Sequence, residues 1–185
     1  MVTLALPKLA LAVVLASVQV PVPYSNPTYG FALDLPARHV LCADDPPAPN
    51  HGFFFLLDTP EVCPFAMSGE TPYISVAASY NALEDKTLKE VMDRYCDPRA
   101  AREPASRDLR FPGQASASCR YKDRRGFIHV TVFAFHKARQ DPALGRNPAD
   151  WIAFEALLTT TPKRLKQDLA AFRAVLGAIR FSPAP

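Results

Sequence analysis

The closing segment of the chain constrains its fold more than any other. In "TPKRLKQDLAAFRAVLGAIRF" (161–181), Leu165, Leu169, Phe172, Val175, Leu176 and Ile179 recur at spacings of 4, 3, 3, 1 and 3. That is the pattern of an amphipathic helix. Pro162 suits its first turn and Thr161 is placed to cap it. Lys163, Arg164, Lys166, Asp168 and Arg173 fall on the polar side. A helix with one apolar stripe must lay that stripe on another element. What precedes it reads mostly as strand.

Tyr29, Phe31, Leu33 and Leu35 alternate with small or polar residues, and Pro36 ends the run. This is a half-buried strand, with residues 38–42 as its expected hairpin partner. "FFFLLD" (53–58) is apolar in both phases and suits a central strand. Residues 73–80 alternate again, with Ile74, Val76, Ala78 and Tyr80 on one face. Residues 115–121 and 127–136 form an expected hairpin around 123–126, and 151–160 is a further long strand. "ADDPPAPN" (43–50), "RAAREPASRD" (99–108) and "RQDPALGRNPAD" (139–150) read as loops by composition. The period shifts once inside this order. Leu88, Val91, Met92 and Tyr95 share a helical stripe, Thr87 and Glu90 make a capping box before it, and Asp97-Pro98 stops it. Strands joined by short connections, with two one-sided helices, imply an α+β fold: a mainly antiparallel sheet with helices packed on it.

The chain has 185 residues, 49% of them hydrophobic and 12 of them Phe, enough for a real core. Nineteen Pro against seven Gly argue for stiff loops rather than flexible linkers. At the N-terminus, Lys8 precedes an apolar run over 9–18, with small residues before position 17. The run is too short to span a bilayer and matches a signal-peptide core. The expected organisation is a leader over 1–16, a flexible stretch to about residue 23, and one α+β domain over 24–185. A buried strand is the alternative reading of the apolar run.

Cys42, Cys63, Cys96 and Cys119 agree with export. Their number is even and no two are close enough for a zinc ribbon or a redox motif. Three pairings are open to four cysteines. The sequential one, Cys42–Cys63 and Cys96–Cys119, is favoured, because each bond would cross a Pro-rich stretch with little core of its own. Each would stabilise by roughly 3 kcal/mol in the chain-entropy picture. Four buried free thiols in a cytoplasmic protein are the alternative.

Net charge is +3, too weak to argue for nucleic acid or an anionic membrane. No glycine-rich phosphate loop and no G-x-S-x-G is present. Among His39, His51, His129 and His136, no pair has the spacing of a helical zinc site. His129 and His136 point to opposite faces of one strand. His39 and His51 flank Cys42, Asp44 and Asp45, and loop carboxylates such as Asp44, Asp45, Asp58 and Glu61 could serve acid–base work and keep an enzyme reading open. Two loop regions stand out as docking elements: the acidic loop with Asp44, Asp45 and His51, and the basic hairpin with Arg120, Lys122, Arg124 and Arg125. A second basic group is Arg99, Arg102, Arg107 and Arg110. No cofactor and no metal is expected.

Three stretches together carry a family resemblance. They are Tyr24, Asn26, Tyr29, Gly30, Phe31, Leu33 and Pro36 at the start, "TLKEVM" (87–92) in the middle, and "GAIRFSP" (177–183) at the end. Over residues 24–183 the chain resembles the PsbP-like superfamily. The resemblance implies an α/β/α sandwich around an antiparallel sheet, and a binding or assembly role rather than catalysis. The four cysteines are not part of the general pattern and suggest a secreted bacterial branch. The expected function is a non-catalytic periplasmic binding protein with a protein partner, such as an immunity or inhibitor protein that occludes a secreted toxin or hydrolase. A cell-envelope assembly or accessory protein is the alternative. Neither nucleic acid nor stable membrane insertion is expected.

Overall fold

The computed structural model describes residues 22–35, 42–43, 51–58, 63, 71–104, 109–136 and 151–182. The expected leader, Asp44, Asp45, His39, Glu61 and Arg107 lie outside them. The elements run β1 (Val22–Asn26), β2 (Phe31–Leu35), β3 (Cys42–Ala43), β4 (Gly52–Leu56), β5 (Tyr73–Tyr80), α1 (Leu88–Tyr95), β6 (Ala101–Pro104), β7 (Ser116–Lys122), β8 (Ile128–His136), β9 (Ile152–Thr160), α2 (Leu165–Ala178) and β10 (Arg180–Phe181). Seven strands form one antiparallel sheet in the order β3-β4-β5-β9-β8-β7-β6, and β1, β2 and β10 form a second. The α+β expectation is met. Among the described residues no helix is long and apolar enough to cross a membrane.

Strand β9 is the axis of the large sheet. It pairs with β5 from Tyr80↔Ile152 to Tyr73↔Thr159, and with β8 from His136↔Ile152 to Ile128↔Thr160. Because side chains alternate, each strand feeds two faces. On the first face Ile74, Val76, Val130, Val132, Phe154, Ala156 and Leu158 are almost wholly buried. They pack under α2, through Phe172, Val175 and Leu176, and under Phe31 and Leu33 of the small sheet. Phe31 meets Phe154 edge to face at 5.4 Å. Each such side chain contributes roughly 1.5–3 kcal/mol, so this face is the main core.

Among the described residues the second face is covered only in part. α1 is capped as its sequence predicts: the Glu90 amide donates to the Thr87 hydroxyl, and the Glu90 carboxylate accepts from the Thr87 amide. Val91 packs with Cys96, Cys119 and Phe133 against the β7–β8 side. An eight-residue helix is only about 12 Å long, while seven strands span roughly 29 Å. The helix therefore leaves the β5–β9 side open. The disulfides Cys42–Cys63 and Cys96–Cys119 follow the sequential pairing, with Cα separations of 5.5 and 6.2 Å.

Several expectations are corrected. Cys42, placed in a hairpin with the opening strand, pairs with Phe54 of β4 instead. Both edges of β2 are already taken, by β1 and by β10. Within the loop expected over 99–108, 101–104 is an edge strand on β7, where Pro104 is tolerated because an edge has a free side. Thr161 does not cap α2; its carbonyl accepts from the Arg164 amide at 3.1 Å in a preceding turn, and the helix starts at Leu165. Asp168, assigned to the wet side, is 1% exposed. It accepts from the Thr160 hydroxyl and from Arg164 at 3.0 and 3.1 Å. Arg164 also pairs with Asp58 and donates to the Leu57 carbonyl. Asp58 thus ties the residues before β5 to the start of α2.

Candidate functional site

The uncovered part of the second face is a cleft of about 270 Å³ between α1 and strands β5 and β9. Val91 and Tyr95 of α1 form one wall, and Phe133 and Phe135 of β8 another. Ala77, Ala153 and Glu155 make the floor, with His51 at the end. A neighbouring hollow of about 250 Å³ shares Ser79, Val91, Tyr95 and Ala153 and runs on to Leu83 and Asp85.

The rim is apolar where solvent is met. Tyr80, Leu83 and Tyr95 are 58, 54 and 58% exposed; Tyr95 lines both hollows, Tyr80 and Leu83 the second. Tyr95 belongs to the α1 stripe that periodicity assigns to the core. It stays in water because the helix ends over the edge of the covered region. Tyr80 shares its phase with Ile74, Val76 and Ala78, but stands at the end of β5.

The opening motif supports this site. Asn26 accepts from the Tyr29 amide at 3.1 Å and so shapes the β1–β2 turn. Tyr29 then reaches across to His51, with its hydroxyl 2.9 Å from Nδ1, and meets the Tyr80 ring edge at 5.5 Å. Burial, with Tyr80 beside it, pushes the Tyr29 phenol above its ordinary range. His51 Nδ1 also lies 3.1 Å from the Ala78 carbonyl. Either way Nδ1 is used internally, and Nε2 is the nitrogen that His51 offers the cleft. Gly52 follows because nothing larger fits: a Cβ there would lie 1.9 Å from the Val76 carbonyl oxygen.

Glu155 is the one charged group of the cleft floor. Its cross-strand neighbours are Ala77 and Phe133. Burial pushes its carboxyl above the ordinary glutamate range. Sequence reading did not single it out. The available signal was a Glu inside the strand pattern "WIAFEALLTT", in the phase opposite to Phe154.

The far end of the same face carries a polar cluster. Tyr121 stacks on His129 at 4.6 Å. His129 sits 3.1 Å from the Thr159 hydroxyl through Nδ1 and 3.3 Å from Asp123 through Nε2. Partial burial works to raise the Asp123 carboxyl, but hydrogen bonds from His129 and the Phe127 amide outweigh it and hold it below the usual range. An Asp–His–Thr order resembles a nucleophile relay. Thr159 is wholly buried, however, so its hydroxyl meets no substrate and the cluster braces the β7–β8 turn. In the basic hairpin, Arg125 lies 3.6 Å from Asp123 and over the Phe127 ring. Arg120, Lys122 and Arg124 point to solvent. Arg99 is held by Asp97 in a two-pronged pair at 2.9 and 2.7 Å. The hairpin and His51 are not brought together: Thr160, paired with Ile128 at the hairpin, is five residues from Glu155, about 17 Å along the strand. Among the described residues no three His, Cys, Asp or Glu converge as metal ligands.

No protein-family model matches the chain, and no curated protein matches it in sequence. Its structure is similar to the solution structure of cyanobacterial PsbP (CyanoP) from Synechocystis sp. PCC 6803, with a TM-score of 0.48 and 14% identity. The likeness covers 90% of this chain and 95% of that one. This likeness is distant and carries no further argument.

Proposed function

We propose that this protein is a non-catalytic binding protein of an oxidising compartment outside the cytoplasm, and that a protein partner docks on the open side of the large sheet. The observation that carries the reading is that Tyr80, Leu83 and Tyr95, the exposed large hydrophobics among the described residues, line two adjoining hollows, Tyr95 both of them and Tyr80 and Leu83 the second. Scattered surface hydrophobics need no explanation, whereas several grouped on one part of the surface mark a contact site. The two disulfides agree with an extracellular or periplasmic setting. They also stiffen both sides of the docking face, which lowers the entropy lost on binding. Export by the leader over 1–16 belongs to the same reading. So does the narrower role of an inhibitor or immunity protein that occludes a secreted hydrolase or toxin.

The cleft geometry favours binding over catalysis. Ser79, His51 and Glu155 all line it, but no hydrogen bond joins any two of them, and His51 Nδ1 is committed to Tyr29 and Ala78. The test is capture of partners by the disulfide-intact protein from the envelope fraction of its host, followed by reconstitution with the purified partner. Leu83→Asp and Tyr95→Asp should each weaken that complex at least about tenfold, while Arg120→Glu with Arg124→Glu leaves it intact. The reverse pattern would move the interface to the basic hairpin.

A further inference from the structure

Among the described residues, Glu155 differs from the other acids that the fold takes out of water. Asp85, with a side chain 5% exposed, is met by Arg94 at 2.9 Å. Asp168 is held by Arg164 and Thr160. Asp123 accepts from His129 and from the Phe127 amide. Asp97 is bound by Arg99. Glu155 stands on the floor of the cleft with a methyl group on one side and a phenyl ring on the other. Among the described residues none pairs with it or donates to it. A half-buried carboxylate without a partner is a cost to the fold, and burial shows as a carboxyl held above its usual range. Such a group belongs where a ligand supplies the missing charge.

The walls narrow the ligand. Phe133, Phe135 and Tyr95 line the same cleft, and aromatic faces attract cations. A carboxylate below aromatic walls repels an anion and leaves a neutral group without compensation. About 270 Å³ is below the range of about 300–1,000 Å³ usual for drug-sized ligands and suits one long side chain. A guanidinium fits these features best, because it pairs with a carboxylate through two parallel hydrogen bonds and stacks on aromatic faces.

We infer that the cleft is an arginine socket: an arginine side chain of the docking protein enters past Tyr95 and Phe135 and pairs with Glu155. The inference rests on the docking reading above and adds the chemistry of its central contact. The probes are N-acetyl-arginine amide and its neutral near-isostere N-acetyl-citrulline amide, titrated into the oxidised full chain and followed by backbone amide shifts. The arginine probe should bind saturably in the millimolar range expected of a single anchored side chain, moving the amides of Ala77, Phe133 and Glu155. Citrulline should bind at least about tenfold more weakly, as expected for loss of a charge-assisted pair. Glu155→Gln, which keeps the shape of the side chain, should abolish that preference. Equal binding of the two probes, a preference that survives Glu155→Gln, or no saturable binding of the arginine probe overturns the socket. If the socket fails while Leu83→Asp and Tyr95→Asp still break the complex, docking on this face stands without the arginine.

Discussion

The two faces of the large sheet are built from the same strands and end in opposite states. On β9, Phe154, Ala156 and Leu158 look to one side and lie under α2 and the small sheet. Ala153, Glu155 and Leu157 look to the other, and α1 covers too little to bury them. The helices differ accordingly. α2 is fourteen residues long and held by its apolar stripe and the Arg164–Asp168 clamp. α1 is eight residues long, buries only Val91 outright, and is followed at once by Cys96, bonded to β7 at Cys119. A face held by packing has little room for a ligand. A face held by a covalent tie can stay open.

The comparison breaks most sharply at Phe154. Phe154→Ala should cost about 3–5 kcal/mol in chemical denaturation. Phe135→Ala, on the half-covered face, should cost less than half of that; equal costs would mean that the two faces are packed alike. Next in size is the tie itself. Replacing Cys96 and Cys119 together by Ala opens a link with a sequence separation of 23 and should cost about 3 kcal/mol. Amide exchange should speed up first in α1 and leave α2 protected. Uniform acceleration in both helices would show that α1 is held by packing after all.

Asp168→Ala should cost about 2 kcal/mol in denaturation at neutral pH. It leaves the Thr160 hydroxyl, otherwise wholly buried, without its carboxylate partner. The smallest stability effect has the opposite sign. Glu155 has its folded carboxyl raised above the ordinary range by burial, so the unfolded chain loses this proton first as pH rises. The wild type therefore loses stability, relative to Glu155→Gln, from about pH 4 upward through the raised folded value. Thermal scans should show a higher Tm for Glu155→Gln at neutral pH and no difference well below pH 4. A lower Tm at neutral pH would mean that the carboxylate is already compensated within the fold.

The residues show why some of this was legible beforehand and some was not. The α1 capping box, the β7–β8 hairpin and the strand character of 73–80 and 152–160 are local: each depends on residues within a few positions or on a short period. Burial of Asp168 was not legible, because periodicity assigns a charge to water unless a partner is known. That partner set combines Arg164 at the helix start with Thr160 at the end of β9. The exposure of Tyr95 and Tyr80 was hidden for the matching reason: a stripe marks an apolar side, not how far the opposite layer extends. Glu155 was invisible as a site residue because its meaning lies in what surrounds it across β5 and β8.

The chain's local chemistry thus settles the α+β class, both helices, the long strands and the even cysteine set, since these follow from side-chain period and capping over short spans. The tertiary structure alone decides which strand Cys42 joins, that 101–104 becomes an edge strand, and that one face of the large sheet is left half covered. The reason is geometric: strand pairing and layer coverage depend on distant segments competing for the same edge or face. An eight-residue helix cannot cover a seven-strand sheet, and the uncovered remainder is the cleft.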